Sequence, residues 1–437
     1  MSEPQKAGHP AGGRPPAEEP SPAGGEEDGS AGTLRVGTPQ DILAFVPHCL
    51  GFQPRESLVL LGLRGSRLGA TLRLDLPRPF GSSEPPDPEA LELLSGYCSR
   101  IASLLSNDDA ADSVLAVMYT GLPWLEGAPP PHSALMELLG DALERSGLSL
   151  RDAWLAGNGT WRDYFCSDAA CCPWPGYPLD EVTGSSLNAE LVYRGSAYAA
   201  TLDESQRTPG RFRTAALDNS VEDIRSARAG KWSDPGAFAE ALAAWEQRIS
   251  SALVPKQPPD TVCCPAPGSA AIREDAFLLA SLESKPVRDT VLVLAAAGMR
   301  AAAEGARRWL QPPTGARAMA GESAAASSAE AGRQFRAILI GRSSAAPDWV
   351  RLDRAYAAFT DLVQRASGEP AAALLTLLGW IEWARGRSSR AELCLSAALG
   401  EEPGYRLAAL LRELLRRGEL PQWALSPATA WRGERPA

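Results

Sequence analysis

The hydrophobic positions of this chain change period along its length, and each change marks a different kind of element. Behind Thr38-Pro39, the residues Ile42, Leu43, Phe45 and Val46 form one apolar face. The threonine caps an orphan amide, the proline is pre-set for the first helical position, and Asp41 completes a capping arrangement in the first turn. The spacing predicts a helix that Pro47 kinks or ends. Residues 57–63 (SLVLLGL) are then a near-continuous apolar run of strand length. Over residues 68–76, Leu72, Leu74 and Leu76 alternate with Arg73 and Asp75, a strand with one polar face. With Gly65 in the turn between them, the two runs predict a β-hairpin. A helix over 89–105, a strand over 114–119, a helix over 131–145 and a strand over 150–156 follow. That alternation predicts an α/β fold, a mixed sheet flanked by helices with some parallel pairing.

Farther along, the reading turns helical. Residues 235–250, 270–284 and 286–308 are predicted helices, with a strand over 290–294 as the alternative for that stretch. Within residues 348–366, Trp349, Leu352, Tyr356, Phe359 and Val363 recur at alternating spacings of three and four, a core-facing helix stripe. Leu378-Gly379, Gly386, Ala391, Ala398 and Pro403 fall at the spacings of a tetratricopeptide unit, which residues 372–405 resemble. Small residues sit where two antiparallel helices approach closely, glycine takes the turn, and proline ends the second helix. One such unit cannot bury its own faces, so it must pack on a neighbour.

The expected organisation has four parts. Residues 1–32 are a disordered acidic Pro/Gly-rich tail, and 33–310 an α/β domain with a helical second half. Residues 311–332 are an Ala/Ser-rich linker or insert, and 333–437 an all-helical C-terminal portion with the tetratricopeptide-like hairpin. These C-terminal helices are the expected contact surface for a protein partner.

Composition narrows the classes. With 437 residues, 44% of them hydrophobic, the chain can build a sizeable core. Its net charge of −10, of which residues 1–32 hold six acids and two bases, argues against a nucleic-acid partner. No run approaches the roughly 18 apolar residues of a membrane span, and no secretory leader is visible. Eight cysteines without an export signal point to a reducing cytoplasm rather than a disulfide scaffold.

The main candidate for chemistry is the segment from Cys166 to Cys172. Cys166, Cys171 and Cys172 offer three soft ligands to zinc, which binds thiolates tetrahedrally and takes four donors. The spacing is not the paired C-x-x-C knuckle. For a fourth donor, His48, His132, Asp168 and the Cys263-Cys264 pair are all open. A packed loop of reduced thiols is the competing expectation, and it leads; a disulfide from Cys166 is the third. A second candidate is a polar ligand site of Arg73, Asp75 and His48, set against a plain salt-linked strand face. Of the three histidines, His48 beside Cys49 is the better placed for nucleophilic catalysis, yet little else supports it. No phosphate-cradling glycine loop and no H-E-x-x-H is present.

Several segments together resemble an actinobacterial family catalogued as domain of unknown function 4192. They are LRVGTPQDILAFVPHCLGFQPRESLVLLGL (34–63), the strand end Arg73-Leu74-Asp75-Leu76-Pro77, WRDYFCSDAACCPWPG (161–176) and GWIEWARGR with its following helix (379–400). The Ala/Ser-rich insert and the acidic tail look like departures of this member. The resemblance implies a cytoplasmic protein and carries no established activity. The expected function is therefore a non-catalytic regulatory or protein-interaction role, with a small-molecule or metal-dependent enzyme built on the cysteine loop as the alternative.

Overall fold

The computed structural model describes residues 36–77, 88–108, 110–194, 196–205, 214–253, 269–310 and 322–432. The expected tail, the Cys263-Cys264 pair and residues 311–321 of the expected linker lie outside them.

Helix α1 (Pro39–Leu50) opens with the capping box read from sequence: the Asp41 N–H donates to Thr38 Oγ1 at 3.2 Å, and the Thr38 N–H to Asp41 Oδ2 at 3.0 Å. Pro47 neither ends nor breaks it. The helix runs to Leu50 because Leu43, Ala44, Val46 and Pro47 are buried together, and the Gly51 N–H closes the end on the Pro47 carbonyl at 2.7 Å. Tertiary packing here outweighs the one donor that proline lacks.

The hairpin forms as expected from β1 (Ser57–Arg64) and β2 (Arg67–Asp75), antiparallel, with Leu60 opposite Leu72. There follow α2 (Pro88–Leu105), β3 (Ser113–Tyr119), α3 (Ser133–Arg145) and β4 (Ser149–Gly157). β4 runs parallel to β3, as a crossover through α3 requires. β5 (Thr160–Asp163) then pairs antiparallel with β4. The turn between them is Asn158-Gly159, both at positive φ (52° and 81°), the pair a tight hairpin favours. With β6 (Tyr177–Pro178) the sheet has six strands in the order β2-β1-β3-β4-β5-β6.

Alternation along the strands makes two cores. Leu58, Leu60, Ala116, Met118, Ala153 and Leu155 face α2 and α3. Val59, Leu61, Val117, Tyr119, Trp154 and Trp161 face α1 and the short helix α4 (Asp180–Thr183). Helices α5 (Ser186–Tyr193) and α6 (Leu202–Ser205) lead out of this half.

The remainder is helical: α7 (Ala215–Arg228), α8 (Pro235–Ser251), α9 (Ser269–Ser281), α10 (Lys285–Leu310), α11 (Glu322–Leu339), α12 (Trp349–Val363), α13 (Gly368–Ala384), α14 (Ser388–Glu401) and α15 (Arg406–Arg416). Residues 290–294 are helical, inside α10, and that helix breaks at Gly298. At the break, Arg351 Nη2 donates to the Leu294 carbonyl at 3.1 Å. The Ala/Ser-rich stretch read as a linker is helical from Glu322 onward. Alanine is the best helix former, so a composition that reads as a spacer is equally a helix once Phe335 gives it something to bury.

One continuous core runs from Leu217 to Trp423. The cores therefore part before α7, not near residue 310, and the helical second half expected within the α/β domain packs with the C-terminal helices instead. The α12 stripe behaves as read, with Leu352 and Phe359 fully buried and Val363 at 3% exposure. α13 and α14 form an antiparallel hairpin in which a Cβ on Gly379 would lie 2.9 Å from the Leu395 side chain. Every residue from Ala371 to Ala384 is buried. α13 is an internal helix of the body. The two halves meet where Arg73 Nη1 donates to Ser389 Oγ at 3.0 Å and Arg390 Nη2 to the Leu50 carbonyl at 3.4 Å.

Candidate functional site

The cysteine segment hangs from the end of β5. Alternation along that strand sends Trp161 to the α1 face, where it stacks on Tyr177 at 5.0 Å, and Arg162 and Tyr164 to the other. Tyr164 anchors its face by donating to the Pro131 carbonyl at 2.6 Å. Two aspartates then fold the loop. Asp163 Oδ1 accepts the N–H groups of Phe165 (2.8 Å) and Cys166 (2.9 Å). Asp168 accepts the Ala170 N–H on its side chain (2.8 Å), and the N–H groups of Cys171 (3.2 Å) and Cys172 (2.7 Å) on its carbonyl. The Tyr177 hydroxyl donates to the Cys171 carbonyl.

These turns bring three thiols together: the Sγ atoms of Cys166, Cys171 and Cys172 all lie within 4.8 Å of one another. Cys172 is buried, Cys166 half-buried and Cys171 exposed. Burial, reinforced by the Cys166 thiol beside it, pushes the Cys172 thiol up to about 12. The Cys171 thiol is raised as well, chiefly by its hydrogen bond with Cys166. Thiolates crowded this closely repel, so Cys171 and Cys172 hold their protons until something positive displaces them.

Arg162 lies under the loop, 6% exposed. Its Nη2 donates to the carbonyls of Cys166 and Cys172, both at 3.4 Å. Its guanidinium lies 4.6 Å from the Trp124 ring and 4.9 Å from the Trp174 ring. Nε and Nη1 are buried without a hydrogen-bond partner. Neither Arg162 nor Trp124 stands out in the sequence. The signal was the Asn158-Gly159 turn, which fixes β5 and hence the face on which residue 162 falls.

The other expected donors are elsewhere. Asp168 shapes the loop but is not among the converging ligand atoms. His132, at positive φ (61°) before α3, is buried with both ring nitrogens unpartnered, and burial lowers its pKa. His48 is held at both nitrogens, 2.9 Å from Asn188 Oδ1 and 2.9 Å from Ser196 Oγ. Because Asn188 Nδ2 donates to the Thr183 carbonyl, its Oδ1 faces the ring, and His48 Nε2 carries the proton.

Of the polar trio, the structure joins only Arg73 and Asp75, at 2.6 Å. Arg73 also donates to Ser57 Oγ, through Nη2 at 2.7 Å, besides its bond to Ser389. It is a fastener between the halves, and His48 is engaged with other partners. Exposed apolar side chains lie in and after the cysteine loop, Phe165 at 57% and Trp174 at 36%, and Leu125, next in sequence to Trp124, is 66% exposed. No helix of the described residues is long and apolar enough to cross a membrane.

Among known proteins, the sequence model of a family described as a domain of unknown function (DUF4192) matches residues 39–422, most of the chain. No curated protein and no solved structure matches it.

Proposed function

The chain belongs to the DUF4192 family, and from that premise we propose that it is a non-catalytic, cytoplasmic regulatory or protein-interaction protein. The observation that carries the reading is how the chemistry-bearing side chains are spent. Arg73 joins the halves, His48 is tied at both nitrogens, and Glu382 is fully buried against Arg385 at 3.0 Å. What stays outward is the apolar rim of Leu125, Phe165 and Trp174, the composition that contact surfaces favour. The C-terminal helices add outward-facing Val350 and Leu410. Their tetratricopeptide likeness, supported by the fit of Gly379 against Leu395, then describes packing rather than a groove, since α13 has no open face.

Photo-crosslinking from position 165 tests the reading, with Leu93, an exposed apolar side chain on α2, as the control position. A specific adduct from 165 that is absent from 93 supports it. Identical adducts from both positions count against it. The second reading, a metal-dependent enzyme, is favoured by the thiol cluster alone. Turnover of any substrate that disappears with Cys172→Ser, while the crosslink persists, would move the assignment to it.

A further inference from the structure

We propose that Cys166, Cys171 and Cys172 form a zinc(II) site of three thiolates whose fourth position opens to solvent, with Arg162 as its buried counter-charge. Two independent observations carry this. The first is the geometry of the sulfurs. Zinc–thiolate bonds of about 2.3 Å at tetrahedral angles place sulfurs about 3.8 Å apart. The three Sγ atoms already lie within 4.8 Å, so each needs to move by no more than a rotamer adjustment. Their backbones are fixed by the Asp163 and Asp168 turns, which leaves the adjacent Cys171 and Cys172 side chains free to aim at one point.

The second observation is the state of Arg162. A guanidinium at 6% exposure, held by two carbonyls and two indole faces and with two nitrogens unpartnered among the described residues, is a buried charge with no anion to balance it. Such a charge is costly unless an anion lies beside it. Three thiolates around zinc(II) carry one net negative charge, equal and opposite to that of Arg162. The two carbonyls Arg162 holds belong to ligand residues Cys166 and Cys172, so the same side chain positions the loop and balances the filled site. A loop of plain packed thiols accounts for neither the convergence nor the orphaned guanidinium. A Cys166–Cys172 or Cys166–Cys171 disulfide accounts for the proximity of two sulfurs and leaves both the third and Arg162 unexplained.

Cys171 faces water, so the fourth donor is a water molecule that an outside ligand can replace. This inference is independent of the interaction reading, because metal content is measured without any partner. Full-length protein purified under reducing conditions is expected to hold about one zinc per chain by elemental analysis. Cobalt(II) put in its place should give thiolate-to-metal charge transfer and tetrahedral d–d bands. Added imidazole should shift those bands if the fourth position is open. Cys166→Ser, Cys171→Ser and Cys172→Ser should each lower zinc affinity at least about 100-fold, and Arg162→Gln about tenfold. Cys49→Ser should leave it unchanged. Wild-type protein that takes up neither metal overturns the proposal. So does a loss of two hydrogens in the mass of the native chain with no metal bound. A cobalt spectrum indifferent to imidazole overturns the open fourth position.

Discussion

Arg162 and Arg385 are the same side chain in two nearly identical settings, and the difference between them separates the two halves of the molecule. Each side chain is largely covered, and each is stacked on aromatic rings, Trp124 and Trp174 for one, Tyr356 and Trp431 for the other. Arg385, in the helical half, meets Glu382 at 3.0 Å and Asp353 at 2.6 Å. Arg162, in the sheet half, meets carbonyls and indole rings but no carboxylate among the described residues. A buried cation that its own fold neutralises is structure. One that its fold leaves unbalanced points outward, to something the chain binds. The same contrast runs through the cores. The helical half has a single continuous core in which the Trp380 and Trp423 indoles find backbone carbonyls at 2.8 and 2.9 Å, while Trp232 Nε1 has no partner among the described residues. The sheet half divides its burial between two thinner cores and leaves aromatic side chains at the surface.

The sharpest test removes charge from each setting. Glu382→Gln leaves Arg385 and Arg387 facing a neutral amide in a fully buried position, and should cost about 3–5 kcal/mol in urea unfolding. Arg162→Met in the metal-free protein should cost less than about 1 kcal/mol, because relief of an unpaired buried charge offsets the lost ring contacts. Equal losses would break the comparison. A second test asks how tightly the helical core is filled. Gly379→Ala places a methyl 2.9 Å from Leu395, and overpacking of this kind should cost about 1–3 kcal/mol. A variant of unchanged stability would mean that α13 and α14 have slack.

How far this contrast could be read from sequence follows from range. Period-two and period-3.6 patterns are local, so the hairpin, the parallel β3 and β4, and the α12 stripe were all legible. β5 is four residues long and hides in an aromatic stretch, too short for alternation to announce it. Only Asn158-Gly159 signals it. The partition of α7 to α10 with the C-terminal helices is set by which faces meet, which no local pattern encodes. For the site, the three cysteines were visible as residues, but their convergence depends on two aspartate turns. Arg162 is marked by its missing counter-charge, which only the fold reveals. Arg73 and Asp75 were legible as a pair, whereas the contact of Arg73 with Ser389 spans most of the chain.

A third test is by pH and bears on how the helical half balances its charge nearer the surface. Glu246 accepts from Arg351 at 2.6 and 3.0 Å, and that hydrogen-bonded pairing holds its carboxyl below the usual range. A carboxylate whose folded pKa is depressed adds stability above its unfolded pKa and loses it as pH falls through the folded value. The difference in unfolding free energy between wild type and Glu246→Gln should be about 1 kcal/mol at neutral pH, since the pair is partly exposed. It should vanish in acid. A difference that persists unchanged below the carboxylate range would show that residue 246 acts by packing.

The smallest effect is the one that tests whether the halves are separate at all. Thr38 caps α1, whose buried face covers only the sheet core built on Val59, Leu61 and Val117. Thr38→Ala removes the acceptor for the Asp41 N–H and should cost about 1 kcal/mol. If the sheet half opens as its own unit, amide exchange in β1 and β3 should quicken about fivefold while that in α12 and α13 stays as it was. The bridging contacts of the described residues include two hydrogen bonds, from Arg73 on β2 to Ser389 and from Arg390 on α14 to Leu50 at the end of α1, beside the packing of α6 on α14. Two such bonds contribute about 1–3 kcal/mol together, too little by themselves to weld cores of this size into one cooperative transition. Exchange that quickens equally in α13 would show that they do, and would make the division between the halves one of packing alone.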